Sequence, residues 1–245
     1  MSTAPPAREA GTATPQTADA ATATMISLIG SLADNNGALG RRYGEWAVSA
    51  PTIESAVAAA AMAQDELGHA RSTYPVLAKL GVTHEEDPLE VGHPLPVIER
   101  PLPDWASFIA ANLVIDGILT TFVASARASS IEPLAQRARK ILQEEGAHKV
   151  HAEAWARRIC RARGSDLELL ERRIAEMWTE AARWPGPDED PGYRRAIEQG
   201  MVSEGPAAVR GRVRDWLGAL LQSEGVVLAL GEPGDWSGWD PELRR

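Results

Sequence analysis

From Ile26 onwards the apolar residues recur at three- and four-residue steps. Ile26, Ile29, Leu32, Leu39, Tyr43 and Trp46 fall on one helical face. The pattern breaks at Ser49-Ala-Pro-Thr52, where Pro51 disfavours helix just before it and suits the opening of a new one. A second helix is expected from about Thr52 to Leu80, stopped by Gly81. Residues 82–103 hold five prolines and no sustained period, so they read as a long connection. Asp104 is a good N-cap for a third helix reaching about Ser129, and Pro133 opens a fourth that ends near Arg163-Gly164. Ser165 or Asp166 opens a fifth, to Trp184. Two shorter helices follow, about 191–203 and 206–224, ahead of an irregular tail. No strand alternation competes with this reading, and no repeat of solenoid length appears.

Residues 1–23 are rich in Ala, Thr and Pro, with no continuous apolar core of the kind a signal peptide carries, and they read as a disordered tail. Residues 24–245 read as a single domain: a bundle core over 24–163, C-terminal helices over 164–225 and an irregular tail over 226–245. Two antiparallel helical hairpins joined by one long crossover define an all-α, ferritin-like four-helix bundle, here with additional C-terminal helices.

In that frame the stretch "MAQDELGHAR" places Glu66 and His69 three apart on the second helix, and "QEEGAHKVHAEAW" places Glu145 and His148 likewise on the fourth. Residues at that spacing share a helix face. Positions equidistant from a turn lie level across a hairpin. Glu145 is 14 residues after Ile131, and Asp116 is 15 before it, interrupting an apolar stripe. Glu66 is 15 residues after Pro51, and Asn36 is 15 before it, on the face of Leu32, Leu39 and Tyr43. Four helices thus bring a polar group to one level. Carboxylates and imidazoles meeting inside a bundle describe a two-metal site for iron or manganese. Without a cation, burying those charges costs several kcal/mol per ion. A neutral amide at Asn36 is a poor ligand, and Asp34, two residues away, is the alternative sixth position. Glu144, His151 and Asn112 lie near the ligands and are candidates to orient them.

The net charge is −9, with 25 Lys and Arg against 34 Asp and Glu, which argues against a nucleic-acid binder. The lone Cys160 has no internal disulfide partner and fits a reducing, cytoplasmic setting. No apolar run approaches the ~20 residues a bilayer demands, so no membrane association is expected. Arg157, Arg158, Arg161 and Arg163 form a basic run that either holds phosphates or is a solvated face. Most tryptophans sit at packing positions, but Trp184, Trp216, Trp236 and Trp239 exceed what a four-helix core needs and point to an interface.

The blocks "EWAVSAPTIESAVAAAAMAQDELGHARS" and "IDGILTTF…EEGAHKVHAEAW" resemble the phenylacetyl-CoA epoxidase family of phenylacetic acid catabolic di-iron proteins. The resemblance covers most of residues 25–160 and continues less clearly beyond. It implies that Glu66, His69, Asp116, Glu145 and His148 match five of the six ligands of the family's catalytic subunit, with Glu66, Glu145 and Asp116 at the centre of catalysis. The sixth, a Glu on the first helix, falls at or near Asn36. It further implies two iron ions, oxygen activation, and oxygen transfer to an aromatic small molecule or a CoA thioester. Electrons would come from a separate reductase, since no dinucleotide or iron–sulfur motif is present. The family pairs a catalytic subunit with a structural one of the same fold. The length of this chain resembles the structural subunit and its ligands the catalytic one. Association as a homodimer, or with a homologous ferritin-like subunit, is the corresponding expectation. The alternatives are a non-catalytic structural subunit and a ferritin-like metal oxidase.

Overall fold

The computed structural model describes residues 19–82 and 92–245, and every regular element among them is helical. Helix α1 spans Ala20–Trp46 and α2 spans Ile53–Lys79. A short α3, Pro96–Glu99, lies in the crossover. Helix α4 comprises Trp105–Ala111, a π-helical turn Asn112–Asp116, and Gly117–Ser125. Then come α5, Glu132–Ala162, α6, Ser165–Ala181, α7, Pro191–Glu198, and α8, Pro206–Ser223. Helices α1, α2, α4 and α5 form the ferritin-like bundle, as two hairpins on either side of the crossover.

Local chemistry sets the boundaries. Asp19, Thr52 and Asp104 each accept a hydrogen bond from a first-turn amide, of Thr22, Ser55 and Ser107 respectively. Such a cap contributes on the order of 1 kcal/mol. Asp19 opens α1 at Ala20, earlier than the apolar period announces, so the expected tail cannot reach residue 23; residues 1–18 lie outside the described ones. Helix α4 ends at Ser125, not Ser129, because Ser129 Oγ instead accepts the Ile131 amide and shapes the turn. Helix α6 ends at Ala181 and α7 at Glu198, both short of expectation, the latter because Gly200 takes a positive φ of 67°.

Within the first hairpin the two backbones approach closely at Gly40. A Cβ there would meet Leu67 Cγ at 2.7 Å and the Ala63 carbonyl at 3.1 Å, so Gly40→Ala would push α1 off α2. The described part of the crossover is not a passive strap. Leu95, Ile98 and Leu102 are buried, and the Leu95 amide donates to Asn35 Oδ1 at 2.9 Å. The rest of it, residues 83–91, lies outside the described residues.

Helix α6 packs on α4, tied by Arg173 to the Asp104 cap at 2.7 Å. Trp184 is fully buried, with Nε1 donating to Ser31 Oγ at 2.9 Å, and so belongs to the core rather than to an interface. Trp236 and Trp239 pack edge to face, 5.7 Å apart, among Arg183, Arg210 and Arg244. Helix α4 also corrects an expectation. Its 21 residues, Trp105–Ser125, are long and apolar enough to cross a membrane by length and composition, but 83% of its apolar window is buried in the bundle. That apolarity is the mark of a central helix, one with an aspartate at its middle.

Candidate metal centre

Glu66 and His69 on α2, Glu145 and His148 on α5, and Asp116 on α4 are all buried. Donor atoms of Glu66, Asp116, Glu145 and His148 lie within 4.8 Å of one another. His148 Nδ1 is 3.3 Å from Glu145, 3.6 Å from Asp116 and 3.7 Å from Glu66. His69 Nδ1 stands 3.2 Å from the other oxygen of Glu145 and 3.7 Å from Glu66. Glu145 therefore lies between the two imidazoles. Asp116 is aimed inward from the π-helical turn, and Thr120 Oγ1 donates to it at 3.1 Å. Such turns concentrate at functional sites, because one extra residue re-aims a side chain.

The outer nitrogens are paired in a crossed pattern. His69 Nε2 donates to Glu144 of α5 at 3.0 Å, and His148 Nε2 donates to Asp65 of α2 at 3.2 Å. Each acid that precedes a central Glu thus holds the imidazole of the opposite helix. A carboxylate on Nε2 fixes the tautomer, so a proton lost from the ring is lost from Nδ1.

The electrostatics follow from burial and crowding. Burial alone would lower His69, but the Glu145 and Glu66 carboxylates outweigh it and push its pKa up to about 10. His148 is raised in the same way against its burial, chiefly by Asp116 and Glu145. Burial, then the Glu145 charge, raises Asp116 to about 7. Burial and Glu66 push Glu145 up too, but the two imidazoles prevail and hold it below the ordinary range. From α1, Tyr43 is fully buried, and burial together with Asp116, Glu66 and Glu145 raises it well above an ordinary phenol. Its hydroxyl is therefore neutral.

The donor set fits divalent metal. Glu66 Oε1, His69 Nδ1 and His148 Nδ1 are buried without a hydrogen-bond partner, and all three point into the cluster. Orphaned buried donors and acceptors are costly. A cation facing oxygen and imidazole nitrogen satisfies all three, and that donor chemistry suits iron or manganese.

Two positions stand apart from this group. Asn36 is buried on α1, an amide at the position that the count through the turn sets level with Glu66. Asp34 faces elsewhere, accepting from the Tyr74 hydroxyl at 2.7 Å and the His93 amide at 2.9 Å, so it is anchored to α2 and the crossover. Of the neighbours singled out in the sequence, Glu144 bonds the His69 imidazole. His151 instead lies edge-on to Trp105 and Phe108 with neither ring nitrogen bonded. Asn112 lies in the π-helical turn, with Nδ2 3.9 Å from Met62 Sδ. Asp65 and Tyr43 join the site from outside the set that the sequence pattern singles out. The repeated acid before each central Glu is the available signal for Asp65, and the seven-residue step from Asn36 for Tyr43. The basic run is engaged: Arg161 binds Glu224 at 2.7 Å, Arg163 the Glu224 carbonyl at 2.8 Å, Arg157 Glu153 at 2.9 Å, and Arg158 covers Trp155.

Bundle, crossover and inward carboxylate–histidine pairs define the class as a ferritin-like helical protein with a candidate metal site. Residues 3–238 match the family described as phenylacetic acid catabolic protein, and the chain belongs to that family. It is also similar to one of the subunits of 1,2-phenylacetyl-CoA epoxidase from Escherichia coli (strain K12), 28% identical over 166 residues, an alignment covering 64% of this chain. The chain spans 66% of the length of that relative.

Proposed function

We propose that this chain is the metal-binding subunit of a multicomponent oxygenase of the phenylacetyl-CoA epoxidase type. It holds two divalent ions, iron foremost and manganese second, between Glu66, His69, Asp116, Glu145 and His148, with Asn36 as a neutral sixth position. One observation carries the reading: these side chains converge in a buried core and leave three polar atoms without partners. Bound iron would supply dioxygen activation, one oxygen atom passing to an aromatic or acyl-CoA substrate and the other leaving as water, with two electrons from a separate reductase and two protons.

The protein's own groups bind, orient and exclude. Asp65 and Glu144 hold the imidazoles so that each Nδ1 faces inward. The Nδ1 protons are the ones that metal must displace, since ligand nitrogens bind deprotonated. Tyr43, neutral and buried, closes the α1 side against water. A cavity of about 220 Å³ reaches Asp116 and Glu145 from the α4–α5 side, giving a small molecule a way to the centre.

A second reading, a non-catalytic subunit that supports a homologous catalytic partner, is favoured by Asn36 and by the length of the chain. Elemental analysis after anaerobic reconstitution separates the two. The oxygenase reading expects close to two ions per chain. Less than about a tenth of an ion would sink it, since a preformed buried site of this donor set binds metal tightly. One ion would place the vacancy on the Asn36 side.

A further inference from the structure

The cavity that reaches Asp116 and Glu145 has an uneven wall. Gly117 of α4 backs onto Trp216 of α8, Gly146 of α5 also lines the cavity, and Lys149 is exposed at its rim. A Cβ on Gly146 would meet nothing within 4 Å, so the space beside it is open. A Cβ on Gly117 would come within 3.3 Å of the Trp216 ring, so that glycine leaves room for the indole. Trp216 is held from two directions. Its Nε1 donates to Glu153 Oε1 at 2.8 Å, and Lys149 Nζ lies 4.6 Å from its ring centroid. Both anchors come from α5, although Trp216 itself is on α8. Lys149 is 55% exposed, and its ion pair with Glu153 is long, at 4.0 Å. Its ammonium is therefore open to a further anion at the rim.

Volume sets what can enter. An apolar cavity of roughly 150 Å³ accepts benzene. At about 220 Å³, with an open mouth, this one encloses a single ring with a short substituent, and a fused bicycle enters only by displacing the Trp216 indole or projecting from the mouth. Any larger molecule must leave its remainder outside, past Lys149.

Resting on the oxygenase reading, we infer that Trp216 is the specificity-determining wall of this cavity: it limits the reacting head group to one ring, while Lys149 holds an anionic group at the mouth. The indole is suited to the task because it is rigid and fixed by Glu153, so the limit is steric. A methylene-sized misfit in such a pocket changes discrimination by about 10–200-fold.

The test uses the full chain, metal-reconstituted, with phenylacetate and 1-naphthylacetate as binding probes in calorimetric titrations. Metal content is measured in parallel for every variant. The parent protein is expected to bind the single-ring acid and exclude the fused-ring acid. Trp216→Ala should bring the fused-ring acid in, shifting the preference by about tenfold or more. Lys149→Met should weaken the single-ring acid several-fold without moving the preference. Gly146→Leu, which fills the open side with a better helix former, should abolish binding of both at unchanged metal content. Because Gly146→Leu does not touch the indole, the inference stays testable even if Trp216→Ala fails to fold. An unchanged preference in Trp216→Ala, undiminished binding in Gly146→Leu, or a parent that binds neither acid at millimolar concentration overturns the inference. A parent that selects the single ring while holding no metal would leave this cavity assignment standing and defeat the oxygenase reading instead.

Discussion

In the α1–α2 hairpin, Glu66 and His69 are buried and α1 brings the buried amide Asn36; in the α4–α5 hairpin, Glu145 and His148 meet Asp116. Each hairpin lends an acid to the other's histidine, Asp65 to His148 and Glu144 to His69. The spacing, the burial and the outer support are matched, and the contrast lies in one position on each side. At Asp116 a carboxylate is crowded enough by burial and Glu145 to be raised to about 7. At Asn36 there is no charge to crowd. The metal-free bundle thus lowers its internal repulsion on one side only, and that side should hold its ion less tightly. Loading is then expected in order, with the Asp116 side first.

The largest effect should come from removing what the halves share. Glu145 approaches both imidazoles, so Glu145→Ala should lower affinity for both ions by about 100-fold or more, a charged contact being worth on the order of 1.5–3 kcal/mol and ~1.4 kcal/mol a factor of ten. Competition with a chelator measures it; retention of one ion at parental affinity would break the symmetry argument.

The crossed acids come next. Asp65→Asn should weaken the first ion and Glu144→Gln the second, each by about 10–100-fold, as for other supports of metal-bound histidine. Stepwise titration followed by absorbance or calorimetry assigns the steps. If both variants weaken the same step, the halves are not independent.

Asn36→Glu sharpens the contrast directly. A carboxylate there should tighten the second ion by about tenfold, whereas Asp34→Ala, whose carboxylate serves Tyr74 and His93, should leave both steps in place. The opposite result would mean that α1 is rotated.

The smallest effect is in pH. His69 keeps its proton up to about 10 in the metal-free protein, against about 6.5 when unfolded. Between those values the native state binds more protons than the unfolded one, so metal-free stability should fall as pH rises through the window. Metal binding expels that proton, so the metal-induced rise in Tm should grow over the same range. Thermal melts from pH 6.5 to 9.5, with and without chelator, check both slopes.

Most of the architecture is legible in the sequence because its signals are local. Pro51, Asp104 and Pro133 mark helix starts, and Glu66, His69, Glu145 and His148 announce a shared face by spacing alone. The level of Asp116 follows from counting through the turn at Ile131. The rest needs three dimensions. The crossed pairing of Asp65 and Glu144 depends on how α2 and α5 rotate about each other, and nothing in either helix sets that rotation. Trp184 reads as excess surface in the sequence because its partner, Ser31, is 153 residues away. The apolarity of Trp105–Ser125 reflects neighbours on all sides, which no window of one helix reveals.

The π-helical turn at Asn112–Asp116 carries a consequence for heredity. Loss of one codon inside it would let α4 close into regular α-helix, a locally favourable repair. The turn carries about one residue more than the 3.6 of an α-helical turn, so removing one would leave the two ends of α4 facing much as they do now. Phe108, stacked 4.4 Å from Trp105, and Phe122, 5.3 Å from Trp184, could both keep their seats. The lineage can exchange residues along this helix one at a time, but it can shorten the turn only by giving up the aim of Asp116.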